Sequence, residues 1–542
     1  MQSVMDHSFS EVPQVDLPRS TFNRSFSHKT TMDADYLVPL LVDDVIPGDT
    51  YNCNMSFVAK LASPTVISLM DNIYFDSFFF FVPYRLLWDN WERFMGAQDD
   101  PGDSIAYTIP EWSSNTDIDM TDVGDGSDYR ALADYMGVPH KSSVNLTEMS
   151  ALPFRAYNLI FNEWFRDQNL QDSVPVETGN GPDIPWTQYE LLKRGKRHDY
   201  FTSALPWPQK GTAVSSPLTG LAPVTGIGRL NGAAWDTGSQ DVHETDNDVV
   251  TYAQNIGGTG GGNDKNFMMQ VEGSGRPLVY ADMAQAVGGI NINDFRLAYQ
   301  TQRLLERDAR GGTRYVETLK NHWGVTSPDF RLQRPEFLGG GSDRVNMQNV
   351  AQTTHQGTQT VYDAKGQEVS IGEAQGTHGF SKSFTEHGVI IGLVNVRSDI
   401  TYSQGLERYW SKRTRYDFYY PVLSQIGEQT VLNKEIYYQN TSQDQEVFGY
   451  QERYAEYRFK PSMVTGLFKQ DRAVDINQVH LSEYFASLPA LGDTFIQSNT
   501  ATPLDGSISV PSQPQFFVDT FFDMRTVRPM PLFGVPGNLD RF

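Results

Sequence analysis

The segment Tyr51–Leu61 constrains the fold more strongly than any other part of the 542-residue sequence. Apolar side chains occupy every second position of this segment, and polar side chains fill most positions between them. The apolar members are Tyr51, Cys53, Met55, Phe57, Ala59 and Leu61. Because successive side chains of a strand point to opposite faces, this period of two predicts a strand with one face in a core and the other in water.

Further strand candidates lie toward both ends of the chain. The run Ile73–Val82 is apolar at nearly every position, which predicts a strand that is covered on both faces. The remaining candidates are Val389–Val396, Tyr416–Tyr420, Val431–Tyr438, Phe448–Phe459 and Phe516–Phe522. The 32 Phe, 26 Tyr and 9 Trp residues also favour strands over a helical bundle. Pattern and composition together predict a mainly β protein.

Three helices are predicted between these groups of strands. The first spans Pro83–Met95, and the second follows Pro153 with aromatic residues at helical spacing. The third begins at Asn293 or Asp294, ends at Arg310, and has arginines on its polar side. Since the helices do not alternate regularly with strands, they are interpreted as excursions from a β framework.

Charge is distributed unevenly along the chain, whose net charge is −23. Residues 99–134 contain ten acids and one base, and the glycine-rich residues 211–275 contain seven acids and two bases. Basic residues concentrate elsewhere, at Arg19, Arg24 and Lys29, at Lys193, Arg194, Lys196 and Arg197, and at Lys412, Arg413 and Arg415. Two surfaces of opposite charge and a scatter of solvated side chains both remain open as interpretations.

Motifs of the common catalytic and metal sites are missing. Gly195-Lys196 lacks the upstream glycine of a phosphate loop, and His243-Glu244 lacks the second histidine of a zinc protease. Cys53 is the single cysteine, so neither a disulfide nor a cysteine-rich metal site is possible within one chain. No cofactor, no metal and no membrane insertion are therefore expected. A β-sandwich glycosidase or carbohydrate-binding module remains open, because a glycosidase could use almost any two of the 66 acids and surface aromatics would suit a sugar groove.

Several long motifs give the sequence a family resemblance. They include Tyr36-Leu-Val-Pro39, Pro47-Gly-Asp-Thr50, Phe78-Phe-Phe-Phe-Val-Pro83, the stretches 304–315, 380–388 and 448–457, Thr414-Arg-Tyr-Asp-Phe-Tyr419, and Arg528-Pro-Met-Pro531. In these motifs the chain resembles the major capsid protein of microviruses, in the gokushovirus branch. The similarity runs from about Arg19 to the C-terminus and is weakest across residues 100–290.

The resemblance implies a structural protein without catalytic activity. Its fold would be an eight-stranded antiparallel jelly roll with long, partly helical inter-strand insertions. Sixty copies would form a T = 1 icosahedral shell around a circular single-stranded DNA genome, assembled in the cytoplasm of a bacterial host and located in the virion. The implied partners are an internal scaffolding protein, a small basic DNA-binding protein, a pilot protein and a host-cell receptor.

The same resemblance suggests a division of the chain. Residues 1–35 would form an N-terminal arm, 36–98 the first jelly-roll strands and a helix, and 99–210 an insertion with helices. Residues 211–275 would be a protruding insertion, 276–345 a helical insertion, and 346–542 the remaining strands and a C-terminal arm. The protrusion is placed at 211–275 because its composition differs from the flanking sequence.

Three groups of residues are predicted to carry function. The candidates for facing DNA are Arg19, Arg24, Lys29, Lys193, Arg194, Lys196 and Arg197, with Phe22, Phe26 and Tyr200 available for stacking on bases. The candidates for host attachment are Trp235, Phe267, Met268 and Met269. The candidates for a subunit interface are Arg303, Arg307, Arg310 and Arg314.

Overall fold

The structure is a computed structural model that describes most of the chain. The described residues are 18–113, 129–139, 149–214, 292–312, 314–326, 331–351, 368–470 and 476–533. By its internal contacts the chain divides into two compact units, of which one comprises Met1–Pro208 and Thr313–Phe542 and the other Gln209–Gly312.

Strands and helices are numbered here in chain order. The strands are β1 (Ser20–Asn23), β2 (Phe26–Met32), β3 (Val38–Val45), β4 (Thr50–Leu61), β5 (Ile73–Pro83), β6 (Glu336–Arg344), β7 (Asn346–Ala351), β8 (Glu368–Ser383), β9 (Gly388–Ser398), β10 (Thr401–Tyr402), β11 (Glu428–Leu432), β12 (Val447–Glu452), β13 (Ser462–Met463) and β14 (Phe516–Arg528). The α-helices are α1 (Trp91–Phe94), α2 (Tyr129–Tyr135), α3 (Leu152–Ile160), α4 (Pro185–Gln188), α5 (Ile292–Arg310), α6 (Tyr315–Trp323), α7 (Asn433–Ile436), α8 (Asp493–Ile496) and α9 (Ala501–Ser507).

Two antiparallel sheets form the body of the larger unit. One has the strand order β1-β14-β4-β8-β7, with β2 also paired to β14, and the other has the order β3-β9-β5-β6. The chain crosses repeatedly between the sheets, since β2, β4, β8 and β14 lie in the first and β3, β5 and β9 in the second. Such crossing connections are typical of a jelly roll. The mainly β, jelly-roll prediction is confirmed.

The number of strands differs from the eight that were predicted. Among the described residues the two sheets contain six and four strands. Strands β1 and β2 pair with adjacent parts of β14 and are separated at Arg24 and Ser25, so one side of β14 has an interrupted strand. The short strand β7 adds an edge beside β8. These two features account for the larger count.

Aromatic side chains fill the space between the sheets. The predicted inner face of β4 is buried along its whole length, from Tyr51 at 0% exposure to Leu61 at 6%. The ring centroids of Phe57 and Phe75 are 4.3 Å apart, and those of Phe79 and Phe380 are 5.2 Å apart. Each pair joins the two sheets. Burial of such rings is the main stabilising term of the sandwich.

Four predicted strands are confirmed, at β4, β5, β9 and β14. Tyr416–Tyr420 is instead a turn, because the Asp417 carboxylate accepts hydrogen bonds from the amides of Arg413 and Thr414. The predicted strand Val431–Tyr438 ends at Leu432, and helix α7 begins at Asn433.

Two more predictions need partial correction. The strand predicted at Phe448–Phe459 corresponds to β12 and ends at Glu452, before Tyr454 with its φ of 65°. The predicted helix Pro83–Met95 is a 3-10 turn followed by the short helix α1. The helix is interrupted because the Asp89 amide donates to the Thr178 carbonyl instead of to its own turn.

Helix α3 confirms the helix predicted after Pro153, and it is anchored by a buried ion pair. Arg155 has no exposed side-chain surface and lies 2.6 Å from the Asp183 carboxylate. Its guanidinium also donates to the carbonyls of Leu87 and Gly179, each at 2.9 Å. In the smaller unit α5 confirms the predicted third helix. No helix in the described ranges is long and apolar enough to cross a membrane.

Candidate nucleic-acid interface

The predicted basic segment 193–197 is fixed by backbone hydrogen bonds to other parts of the chain. The Arg194 amide donates to the Asp35 carbonyl at 2.9 Å, and the Lys196 amide donates to the Ile496 carbonyl at 2.7 Å. A side chain on Gly195 would come within 3.4 Å of the Phe165 carbonyl. Because the backbone is held on both sides, the positions of the basic side chains are determined.

A cleft of 480 Å³ opens beside this segment, and we call it the basic cleft. Its aromatic lining comes from β5, from the π-helical turn Phe161–Phe165 that follows α3, and from β6. The lining rings are Phe78, Phe80, Trp164, Phe165 and Phe337. Its basic lining consists of Arg166, Arg194, Lys196, Arg197 and Arg397. The volume lies in the range of about 300–1,000 Å³ that small-ligand sites have.

Two guanidinium groups of the cleft lining, those of Arg194 and Arg397, share one buried carboxylate. Asp76 is 2% exposed, and its Oδ2 lies 2.6 Å from Arg194 and 2.8 Å from Arg397. Burial lowers the pKa of Arg397 to about 10, and the nearby Arg194 and Arg197 add to this effect. Burial also lowers the pKa of Arg194. Both arginines remain charged at neutral pH, so this group carries an excess of positive charge.

The hydrogen-bonding capacity of this group is not fully used. Asp76 Oδ1 and Arg397 Nε are buried and have no hydrogen-bond partner within the described part of the chain. The Arg194 guanidinium lies over the Phe78 ring at 4.8 Å, and Arg197 lies over Tyr74 at 4.7 Å. Cations stacked on rings beside an unfilled donor are suited to an anion that carries a flat apolar group.

The family model of the capsid protein (F protein) matches residues 10–538. The chain belongs to this capsid protein family. It is 44% identical to the capsid protein VP1 of Bdellovibrio phage phiMH2K and 40% identical to that of Chlamydia phage 1, each over 99% of this chain and 98% of the relative. It is 34% identical to the capsid protein VP1 of Spiroplasma virus 4, over 98% of this chain and 97% of the relative.

Family membership settles the class of function. The chain is a structural, non-enzymatic capsid protein of a microvirus, its place is the virion, and its copies assemble into a capsid. The predicted family and the predicted absence of enzymatic activity are confirmed. The alternative of a glycosidase or a carbohydrate-binding module is therefore wrong.

One side-chain arrangement in this capsid protein has the residue types of a hydrolase triad. His378 Nδ1 lies 2.6 Å from Ser77 Oγ, and His378 Nε2 lies 3.0 Å from Asp343 Oδ2. Ser77 is 1% exposed, however, and a substrate cannot reach a hydroxyl buried between two sheets. The three residues belong to β5, β8 and β6, so their hydrogen bonds tie the sheets together.

Only part of the predicted basic group at 193–197 is available to a ligand. Lys196 is buried, lies 3.0 Å from the Glu483 carboxylate and stacks over Phe495 at 4.7 Å. Arg197 keeps 38% of its side chain exposed and lies 3.2 Å from Asp399. Lys193 stacks over the Tyr36 ring at 5.1 Å. The carboxylates that neutralise the group come from distant parts of the chain.

None of the three N-terminal candidates lines the basic cleft. Arg24 donates to both carboxylate oxygens of Asp43, at 2.6 and 2.7 Å. Lys29 is exposed and lies 2.6 Å from Asp519 of β14. The exposed Arg19 donates to the Gly48 carbonyl and, at 3.3 Å, to Thr50 Oγ1.

The aromatic candidates for base stacking also lie outside the cleft. Tyr200 is 4% exposed and donates to Glu435 at 2.8 Å, so it belongs to a second, smaller core. Phe26 stacks on Phe522 at 4.8 Å, and Phe22 is in β1. Sequence reasoning missed the cleft's own rings, although the run of four phenylalanines in β5 was visible.

The structure describes the interface candidates, whereas the attachment candidates lie outside the described residues. Arg303, Arg307 and Arg310 are exposed on α5. Arg314 lies 2.9 Å from Glu163 and 3.1 Å from Glu317, so it pairs within its own chain. Most of the predicted protrusion, 215–275, lies outside the described residues, together with its candidates Trp235, Phe267, Met268 and Met269. In the described part of the chain, no group of three or more His, Cys, Asp or Glu residues is arranged to hold a metal ion.

Proposed function

We propose that sixty copies of this capsid protein form a T = 1 icosahedral shell around a circular single-stranded DNA genome, and that the basic cleft faces this DNA. Membership of the capsid protein family and the jelly-roll sandwich support the shell. The observation that best supports a contact with DNA is the pair of guanidinium groups bound to one buried carboxylate, beside five aromatic rings.

Unpaired DNA combines the two features that the cleft selects. Its phosphates bind arginine, and its bases stack on aromatic side chains with about 1–3 kcal/mol per base. Phe337 is 43% exposed and Trp164 is 40% exposed, with ring centroids 6.0 Å apart. Arg334 lies over Trp164 at 5.2 Å and adds charge at the same edge. A base stacked on these rings, with its phosphate near Arg397, would fill both the aromatic and the basic part of the cleft.

The test is binding of a fluorescent oligo-dT to the full-length chain, at concentrations where light scattering detects no particles. Arg397→Met leaves Asp76 paired with Arg194 and removes one charge from the cleft. We expect about tenfold weaker binding, and a plot of log K against log salt that is flatter by about 0.7, the loss of one phosphate contact. Trp164→Ala is expected to weaken binding by tenfold or more without changing this slope.

The matched control is Arg458→Met, because Arg458 is a half-exposed arginine outside the cleft. Equal oligo-dT binding by the parent, Arg397→Met and Trp164→Ala would reject the cleft as the DNA contact. Loss of binding with Arg458→Met alone would place the contact elsewhere.

The remaining basic candidates would form a second, weaker contact with the genome. Lys29 and Arg19 are exposed, and Lys193 is partly exposed, so each is available to a phosphate. Arg24 and Lys196 are held by Asp43 and Glu483, and we propose that they position the surface without direct contact. Packaging would also depend on a small basic DNA-binding protein, and assembly on a scaffolding and a pilot protein, as the family resemblance suggests.

Residues 211–275 would form the surface protrusion that meets the host-cell receptor. Their net negative charge suits a surface far from the genome, and Trp235, Phe267, Met268 and Met269 offer apolar contacts. Deleting 231–265 is expected to leave particles that assemble but adsorb poorly to host cells. Normal adsorption would remove the receptor role.

The exposed arginines of α5 would contact neighbouring subunits. We expect the double change Arg307→Ala and Arg310→Ala to lower particle yield and to leave folded subunits in solution, because arginine pairs readily with carboxylates across interfaces. An unchanged yield of particles would reject this role.

A further inference from the structure

A second region of the larger unit exposes an unusual amount of apolar surface. Eight large side chains within 18 consecutive residues are each at least 45% exposed, and we call them the aromatic face: Tyr409, Trp410, Tyr416, Phe418, Tyr419, Tyr420, Val422 and Ile426. Val422 is the most exposed, at 87%, and Trp410 follows at 71%. Contiguous apolar patches above a few hundred Å² are uncommon on monomers and mark interaction sites.

The backbone under the aromatic face is held firmly. The Asp417 carboxylate accepts hydrogen bonds from the amides of Arg413 and Thr414, at 3.0 and 2.7 Å. Arg408 donates to the Thr430 carbonyl at 2.7 Å and lies 3.0 Å from Glu435. A partner would therefore meet a surface that is already ordered, and the loss of conformational entropy on binding would be small.

Of the three basic residues of this segment, the Lys412 side chain is buried, whereas Arg413 and Arg415 are exposed. Lys412 is buried, lies 3.6 Å from Glu456 and sits 3.9 Å above the Tyr457 ring. Arg415 covers the Tyr416 ring at 4.8 Å. Eight large apolar side chains outnumber these two exposed guanidinium groups, whereas a DNA contact needs a cluster of cations for the phosphates. The chemistry favours a protein partner.

We propose that the aromatic face is a contact between subunits and that its occupant is a second copy of this chain, an inference that rests on the proposed shell. Aromatic side chains bury about 150–250 Å² each, so eight half-exposed residues offer roughly 800 Å². This is about the area that one partner contributes to a stable interface. A shell built from copies of one capsid protein requires contacts between those copies.

A groove of 670 Å³ continues the aromatic face on one side. Tyr409 and Trp410 belong to both, and the apolar wall of the groove also includes Leu406, Tyr457, Phe459 and Met463. Copies that close into rings use two different surfaces at each contact, one that protrudes and one that receives. The groove gives the contact a receiving surface for apolar side chains of the neighbouring copy.

The first test compares the assembly of full-length variants by sedimentation velocity. The double change Val422→Asp and Ile426→Asp places two charges on the aromatic face, where both side chains are already in water in the single subunit. We expect at least a tenfold loss of particles, with unchanged thermal unfolding and unchanged oligo-dT binding. The matched control Val510→Asp alters an exposed valine outside the face and is expected to assemble normally.

The outcomes separate this inference from the proposed shell. If the parent chain forms no particle even when the scaffolding and pilot proteins are supplied to parent and variants alike, the shell itself is rejected. If the parent and the double variant assemble equally, the shell stands and the aromatic face is not a subunit contact. If the double variant assembles but loses oligo-dT binding, the face is a DNA contact and the inference is wrong.

A second test does not depend on blocking assembly. Cys53 is fully buried, so Val422→Cys would provide one accessible thiol for a maleimide dye. We expect labelling to be at least tenfold slower in particles than in dissociated, folded subunits. Val510→Cys measures the access of the dye to particles. Equal labelling of Val422→Cys in the two states would overturn the proposal.

Discussion

The jelly-roll sandwich and the segment 401–470 differ in how completely each covers its own apolar side chains. In the sandwich, rings such as Phe75, Phe79 and Phe522 are at most 1% exposed. The segment 401–470 also has a small core, with Tyr402, Val431 and Phe448 buried. It nevertheless leaves the whole aromatic face in water.

This difference suggests that folding depends mainly on the sandwich and assembly mainly on the segment 401–470. Burial within one chain gives the sandwich its stability, so it is complete in a single copy. The segment 401–470 is ordered by ion pairs and turns, and its apolar surface becomes buried only when a partner arrives. Substitutions in the sandwich should therefore change the free energy of unfolding, and substitutions on the aromatic face should change the yield of particles.

The largest effect is expected from Phe79→Ala. Phe79 is 1% exposed and its ring lies 5.2 Å from that of Phe380, so truncation leaves a cavity between the sheets. We expect the free energy of unfolding to fall by about 3–5 kcal/mol in denaturant titrations. The matched change Tyr409→Ala, at a 65% exposed ring, should alter it by less than about 0.5 kcal/mol. Equal losses would remove the distinction between the regions.

An effect of opposite sign is expected from Arg397→Met. Burial lowers the pKa of Arg397 to about 10, which means that its charge opposes folding below that pH. Solvent screening of the partly exposed side chain reduces this electrostatic cost. Removing the charge should therefore raise the free energy of unfolding by roughly 1–2 kcal/mol at pH 7. The parent regains this stability as the pH rises from about 10 toward 12.5, so the two proteins should converge there. Arg458→Met should show no gain, and a destabilised Arg397→Met would contradict the account.

The smallest effect is expected from Asp417→Ala in the aromatic segment. Hydrogen bonds from the amides of Thr414 and Arg413 lower the pKa of Asp417. Their contribution is present above the ordinary carboxylate pKa and disappears as the pH falls through the lowered value. The loss of this turn cap should cost about 1 kcal/mol locally. Faster hydrogen exchange at these two amides, with unchanged global unfolding, is the expected result. Unchanged exchange at both amides, or a loss of global stability, would argue against it.

Sequence patterns predicted the sandwich better than the segment 401–470. The alternation in β4 and the apolar run in β5 describe burial that extends over a whole strand, and both strands form as predicted. At Tyr416–Tyr420 the aromatic residues suggested a strand, but local hydrogen bonds to Asp417 form a turn instead. Aromatic residues that stay exposed until a partner binds are the same residue types as those that fill a core, so composition alone does not distinguish them.

The cleft was only partly predictable for a different reason. The cluster of cations at 193–197 was visible in the sequence, but the carboxylates Asp76 and Glu483 that bind two of its members are distant along the chain. Arg397 stands at the end of β9 without a basic neighbour in sequence, and only the pairing of β9 with β5 brings it to Asp76. Contacts between side chains so distant in sequence depend on sheet topology and not on the local sequence pattern.

The most direct test of the account is an electron cryomicroscopy map of particles assembled from the full-length chain. We expect a T = 1 shell in which a neighbouring subunit covers Val422 and Trp410, while the cleft at Arg397 opens to the interior. A shell in which Val422 and Trp410 face solvent, with no neighbouring subunit in contact, would contradict the division between a self-sufficient sandwich and a segment completed by a second copy.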